Sequence, residues 1–337
     1  MTATPAVLPS TAAFPAGGLP REMWRASPPL TAVGVLMLFV AGLSLVGVFA
    51  DPRVITGAPA WLKPFKFAVS TAIYSLTLAW IFTNLTDWPR MRRIVGWTTA
   101  IVFILEVGLI DIQAWRGTTS HFNVATTFDR VLFGVMGTAI VMQTFVSVAV
   151  AVALWRQRFT DRVLGWALRF GMILTIAGAM TGPLMTRPTA EQLAHARAGG
   201  AMTIVGSHSV GGGDGGPGVP VTGWSREHGD VRVAHFVGLH ALQVLALIAL
   251  ALRGWRRRET VRVRMMVLAT VSYATLFLLL LWEALRGRSF VAPDTVALAS
   301  FAMWAAATAV AIAWIGFLSN GRAGGSNAAE HAPHSMR

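Results

Sequence analysis

The sequence predicts an all-α, polytopic membrane protein of about eight transmembrane helices, and three observations carry that prediction. Apolar residues fill 54% of the 337 positions while charged residues fill 13%, about half the ~25% charged share of an ordinary globular chain. Mean hydropathy is +0.58. With 13 Trp and 18 Phe, the low charge does not reflect a disordered composition, because the chain has ample surface to bury. The absence of cysteine excludes disulfides, thiolate metal sites, iron–sulfur clusters and cysteine nucleophiles. A formal charge of +13 would point to nucleic acid in a soluble protein. In a membrane protein it matches arginines facing anionic lipid headgroups, and no nucleic-acid partner is expected.

A hydrocarbon core of about 30 Å requires about 20 mostly apolar residues per helix, with every backbone group paired inside the segment. Eight stretches qualify: 29–50, 61–84, 94–115, 131–155, 163–185, 233–252, 263–285 and 295–318. Arg169 interrupts the fifth about two turns in and is expected to snorkel to the nearer interface. Pro64 in the second falls where a first-turn proline is tolerated. Residues 1–28 read as a disordered tail without the apolar core and cleavage site of a secretory signal. The Gly/Ser/Asn/His stretch 319–337 also reads as disordered, leaving 29–318 as the transmembrane domain.

Loops 85–93, 156–162 and 253–264 hold 12 Arg in 28 residues, whereas loops 51–66, 116–130, 187–232 and 286–294 hold 11 Lys or Arg in 86. The denser set is expected in the cytoplasm. Both termini then lie inside, and the 46-residue loop 187–232 becomes the largest outer element. An internal duplication fits this count. Gln113-Ala-Trp-Arg116-Gly117 aligns with Glu283-Ala-Leu-Arg286-Gly287 at an offset of 170, and Lys66-Phe-Ala68 with His235-Phe-Val237 at 169. Two parallel four-helix halves would give this pattern, as would chance similarity among helix ends.

Polar chemistry collects on the outer side. His121, His195, His208, His228, His235 and His240 all fall there. Span three carries Glu106 and Asp111; an ionised group in hydrocarbon is costly, so each is a candidate for proton handling together with His121. The structural alternatives are a protonated Glu106 bonded inside the bundle and an Asp111–Arg116 pair at the interface. The long loop interleaves six glycines between 211 and 218 with His208, Asp214 and Trp224, and is expected to fold back over the mouth of the bundle. It lacks the Gly-Lys-Ser/Thr of a phosphate-binding loop. At the start of span six, His235 and His240 differ by about 140° on a regular helix, so they cannot grip one ion as an i, i+4 pair does. His240 does share a face with Gln243. Lys63 and Lys66 are the only lysines among 28 basic residues and mark a place for compact ammonium groups. Lipid anchoring is the plainer explanation of that pair.

The segments Gly206-Ser-His-Ser-Val, Asp214-Gly-Gly-Pro-Gly-Val-Pro and Gly229-Asp-Val-Arg-Val-Ala-His-Phe-Val-Gly-Leu-His-Ala-Leu-Gln243 resemble a group of uncharacterised bacterial multi-spanning membrane proteins. Trp61-Leu-Lys-Pro-Phe-Lys-Phe67, Ala284-Leu-Arg-Gly287 and Ala292-Pro-Asp294 carry the same resemblance. It implies a multi-pass protein of the bacterial inner (plasma) membrane and implies no activity. Motifs of rhomboid and zinc membrane proteases are absent.

Three functions compete at this stage. The first is a metal- or haem-binding, redox-active protein, with His121, His208, His235 and His240 as candidate ligands for haem or a divalent transition metal. The second is a transporter of a small ion or solute at the outer face, with Glu106 as its buried carboxylate. The third is an enzyme on a lipid headgroup, with Lys63, Lys66 and Arg116 holding an anion and His121 as general acid or base. Asp214 and Gln243 complete the candidate ligand-binding set.

Overall fold

The computed structural model describes residues 18–329, with side chains to 318. A short helix α1 (Gly18–Ala26) occupies the end of the stretch expected to be a loose tail and buries Met23; residues 1–17 lie outside the described part. Then come α2 (Pro28–Ala50), α3 (Leu62–Thr83), α4 (Pro89–Trp115) and α5 (Thr127–Arg156). These are followed by α6 (Arg162–Ala179), the single turn α7 (Gly182–Met185), α8 (Ala190–Arg197), α9 (Val231–Leu239) and α10 (Ala241–Arg253). The chain finishes with α11 (Glu259–Leu285) and α12 (Thr295–Ala329). The expected tail after 319 therefore begins as a continuation of α12, where adding a residue to an existing helix costs far less than nucleating one. Residues 330–337 lie outside the described part.

Seven helices are long and apolar enough to cross a membrane, and eight do so if the bent pair α9 and α10 counts as one span. Their ends are set locally. Pro28 and Pro89 stand at first-turn positions, where the missing N–H costs no bond. Thr126 and Asp161 accept from Asp129 N and Leu164 N, each meeting an otherwise orphaned donor. Arg169 does not snorkel to lipid: its guanidinium donates to Leu154 O at 3.0 Å and Gln157 O at 2.8 Å, capping the last carbonyls of α5.

The helices repeat one packing pattern twice. In the first half α2 packs on α3 and α4, and α4 packs on α5; in the second α6 packs on α9, α10 and α11, and α11 packs on α12. The boundaries repeat too. Leu62 and Val231 open the second spans 169 residues apart. α4 and α11 are both 27 residues long, and their ends, Trp115 and Leu285, lie 170 apart. Each ends on a left-handed glycine, Gly117 (φ 72°) and Gly287 (φ 73°), a conformation that costs a Cβ-free residue nothing.

The main core lies where the halves meet. Leu30, Leu78, Phe82, Leu154, Leu168, Met172 and Leu245 are buried in it. At one end of the bundle all four loops expected on the outer side converge. Loop 187–232 pairs Ser209–Val210 with Gly229–Asp230 and bridges Ile204 to Asn123. Ser289 Oγ donates to Ser225 O at 3.0 Å. Gly206 (φ 103°) passes so close to Met185 O that a Cβ would stand 2.3 Å from it.

Span six differs from the single helix expected over 233–252. It breaks at His240 with a 47° bend. Gly238 crosses Gly178 in backbone contact, and a Cβ on Gly238 would lie 2.4 Å from the Gly178 Cα. The carbonyls freed by the break find donors on neighbouring helices: Tyr273 Oη to Val237 O at 2.6 Å, and Thr175 Oγ1 to Leu239 O at 3.3 Å. Such re-satisfaction is what permits a broken helix inside a membrane.

Candidate functional site

Three side chains from three segments meet beneath the loop-covered end. Lys63 is in the first turn of α3, Glu106 lies two and a half turns inside α4, and His121 hangs from the loop joining α4 to α5. His121 Nε2 lies 3.4 Å from Glu106 Oε1. Its Nδ1 is 3.1 Å from Lys63 Nζ and 3.1 Å from Ser120 Oγ. Lys63 can only donate, so the consistent tautomer accepts at Nδ1 and presents Nε2–H to the carboxylate. Burial, and then the charge of Lys63, hold the His121 imidazole below its ordinary proton affinity, against the pull of Glu106. Glu106 is 2% exposed, and its second oxygen, Oε2, has no hydrogen-bond partner among the described residues.

Around this triad the mouth is cationic. Lys63 is within electrostatic reach of Lys66, Arg232, Glu106 and Asp214. Lys66 Nζ donates to Thr222 O of the long loop at 2.7 Å. Arg232 is neutralised by Asp230 at 2.5 Å, whereas neither lysine forms an ion pair with a carboxylate among the described residues. Lys63 Nζ meets His121 Nδ1 instead, and Lys66 Nζ meets a backbone carbonyl.

Asp214 anchors the glycine-rich turn rather than facing the mouth. It accepts from the backbone N–H groups of His208 and Ser209 and from the Ser207 hydroxyl, and lies 2.8 Å from His208 Nδ1. Burial opposes its charge, but the His208 bond and charge hold its carboxyl well below the usual range. Burial pushes the His208 imidazole down to about 4. The His208 ring packs edge-on against Phe122 with centroids 4.8 Å apart.

The remaining candidates lie elsewhere. Asp111 faces the other side of α4 and lines a shallow pocket with Trp61, Ile112, Trp115 and Arg116. Arg116 does not pair with it. It bonds Gln113, and meets Asp129 at 2.6 Å. His235 Nδ1 lies 2.9 Å from Gly178 O and 3.0 Å from Thr181 Oγ1. His240 Nδ1 donates to Phe236 O at 2.9 Å, and the Oε1 of Gln243 is buried without a partner. His121, His208, His235 and His240 do not form one ligand set: no group of three or more His, Asp or Glu could hold a metal ion among the described residues. Both nitrogens of His121 are engaged within the protein. Arg232, Asp230 and Ser120 join the site without having been singled out from sequence. The Asp-Val-Arg run opening span six was the available signal.

A bundle of membrane-crossing helices with an ionisable cluster under a folded loop defines a multi-pass membrane protein. No family model matches the chain, and no curated protein or solved structure is detectably similar to it. The multi-pass character stands on the helices, and the resemblance to a bacterial group has no match behind it.

Proposed function

We propose that this chain is a proton-coupled carrier of a small organic anion, which it loads at the loop-covered end. The observation that carries the reading is the Lys63–His121–Glu106 triad, with its buried carboxylate and its lysines free of acid partners. The positive charge of Lys63 disfavours a proton on His121. An anion bound between Lys63 and Lys66 cancels that charge, so His121 accepts a proton and can hand it to Glu106. By linkage, protonation favours anion binding to the same degree. The parallel halves and the broken sixth span are features of secondary transporters. The arginine density of the opposite loops supports placing the loop-covered end outside.

The test uses proteoliposomes of the full chain with the outward side facing the medium and a pH dye inside. Labelled acetate, lactate, benzoate and succinate are supplied from the loop-covered side. Uptake of at least one should acidify the lumen and fall at least tenfold in Glu106→Gln and in Lys63→Met. If no anion moves, or if flux persists unchanged in both variants, the reading fails. Lipid turnover dependent on His121 in place of uptake would move the same triad to an enzyme on a headgroup.

A further inference from the structure

Below Glu106, the first half contains a row of buried polar atoms that find no partner among the described residues. On α4, Thr99 is fully buried, and its hydroxyl is unpaired. It shares a face with Glu106, seven residues and about 10 Å along the axis. On α3, Ser75 is fully buried with its hydroxyl also unpaired. On α5, Gln143 is 8% exposed; its amide nitrogen faces the Tyr74 hydroxyl, and its amide oxygen has no partner among the described residues. Tyr74 ties these helices together: its hydroxyl is 3.1 Å from Ser147 Oγ, and its ring meets Phe103 at 5.5 Å. Phe103 lies one turn from Glu106. Ser147 stands one turn beyond Gln143 and donates to its carbonyl at 2.9 Å.

An unpaired polar group inside a bilayer costs several kcal/mol, and buried polar groups in folded proteins are almost always met by protein or ordered water. One such atom can be an exception. Four on three adjoining helices, Glu106 Oε2, Thr99 Oγ1, Ser75 Oγ and the Gln143 amide oxygen, are a lining. The second half keeps less of it: Gln243, with a buried unpaired Oε1, stands where Tyr74 does, and the other positions are apolar. At the offsets of 170, 169 and 168 set by the paired helices, Thr99, Glu106, Ser75, Gln143 and Ser147 correspond to Ala269, Leu276, Val244, Ala311 and Ile315.

We infer that the first half holds a water-bridged proton path from Glu106 past Tyr74, Thr99, Ser75 and Gln143 toward the end remote from the long loop. This deepens the carrier reading by giving the proton on Glu106 an exit separate from the anion's entry. It rests on that reading only for its direction of use. A path of alternating hydroxyl, amide and water passes a proton by exchanging donors and acceptors in sequence, with no net change in the groups it crosses.

Two measurements test it. The chain has no natural cysteine, so single cysteines placed in the bundle report water access without a background. In the full chain in liposomes, Ser75→Cys and Thr99→Cys should react with aqueous silver ion, an ion of roughly water's size, at least tenfold faster than Ala79→Cys. Ala79 is equally buried but sits in the apolar core. Equal rates would overturn the path whether or not any anion is carried. Gln143→Leu removes the unpaired amide oxygen together with a donor to Tyr74 and should leave thermal stability nearly unchanged. It should slow anion-coupled lumen acidification at least tenfold while leaving anion–anion exchange intact. Wild-type acidification in Gln143→Leu would also overturn the path, whereas a wild type that carries no proton would sink the carrier reading and leave the silver result to decide.

Discussion

In the first half, α4 ends at Trp115, and Arg116 reaches back to Gln113 and forward to Asp129 at the head of α5. In the second half, α11 ends at Leu285, and Arg286 reaches back to Glu283 and forward to Asp294 at the head of α12. The same staple closes both halves at the same end of the bundle. What they hold differs. The first keeps its second span continuous and lines its interior with Glu106, Gln143 and hydroxyls. The second breaks its second span at His240, crosses it with α6 through Gly178 and Gly238, and carries Ala, Leu, Val and Ile, all only half-buried, at the positions matching Thr99, Glu106, Ser75, Gln143 and Ser147. The helix pattern recurs, while the row of polar side chains below the triad belongs to the first half. His235 standing at the position of Lys66 makes the same point within a single turn.

Three perturbations sharpen that contrast. The largest effect is expected at the backbone crossing. Gly238→Leu places its Cβ against the Gly178 Cα and should cost about 3 kcal/mol, read as a lowered Tm in detergent. The close approach in the first half is softer. A Cβ on Gly34 meets Cγ and Cδ2 of the Leu76 side chain at 2.7 Å, with the nearest backbone atom 3.5 Å away, so Gly34→Ala should cost about 1 kcal/mol. Equal losses would mean the two halves pack alike after all.

The staples come next. Arg116→Ala leaves Asp129, 4% exposed, without a charge partner, and Arg286→Ala does the same to Glu283, 1% exposed, besides the more open Asp294. Breaking a buried pair costs about 3–5 kcal/mol; because Arg116 and Arg286 are each about a third exposed, about 2 kcal/mol is expected in either variant. A loss in only one of the two thermal melts would contradict the shared staple.

The smallest effect concerns the long loop inserted in the second half. His208 titrates at about 4 in place and near ~6.5 once released. Between those values the released loop binds more protons, so the closed form weakens as pH falls through that window, by up to about tenfold per pH unit. Asp214 stays charged throughout and adds no slope there. Hydrogen exchange over 206–232 at pH 7, 5.5 and 4.5 should show the rise after correction for intrinsic rates, and His208→Asn should flatten it. A flat wild-type profile would remove the imidazole from the latch.

Most of the bundle was legible because lipid imposes its own grammar: a span must be long, apolar and internally bonded, and 61–84 or 263–285 satisfy that without reference to any neighbour. The convergence of the four loops followed from the number of spans, since alternate loops of a bundle share one end. The break at His240 did not, because it depends on donors from Tyr273 and Thr175 that lie on other helices. The role of Arg169 was hidden for the same reason, since its acceptors, Leu154 and Gln157, belong to the preceding span. The site was half legible. Glu106, His121 and Lys63 each stood out by residue type, but nothing in a linear chain brings position 63 to position 121. The four histidines looked like one set only because sequence records side and not distance.

The crossing of Gly178 over Gly238 has a mechanical consequence. With no side chains between the two backbones, neither helix can slide past the other, and α9 is held as well by buried Val231, Val233 and Ala234. The crossing therefore fixes the height at which Arg232 and His235 stand beneath the strap.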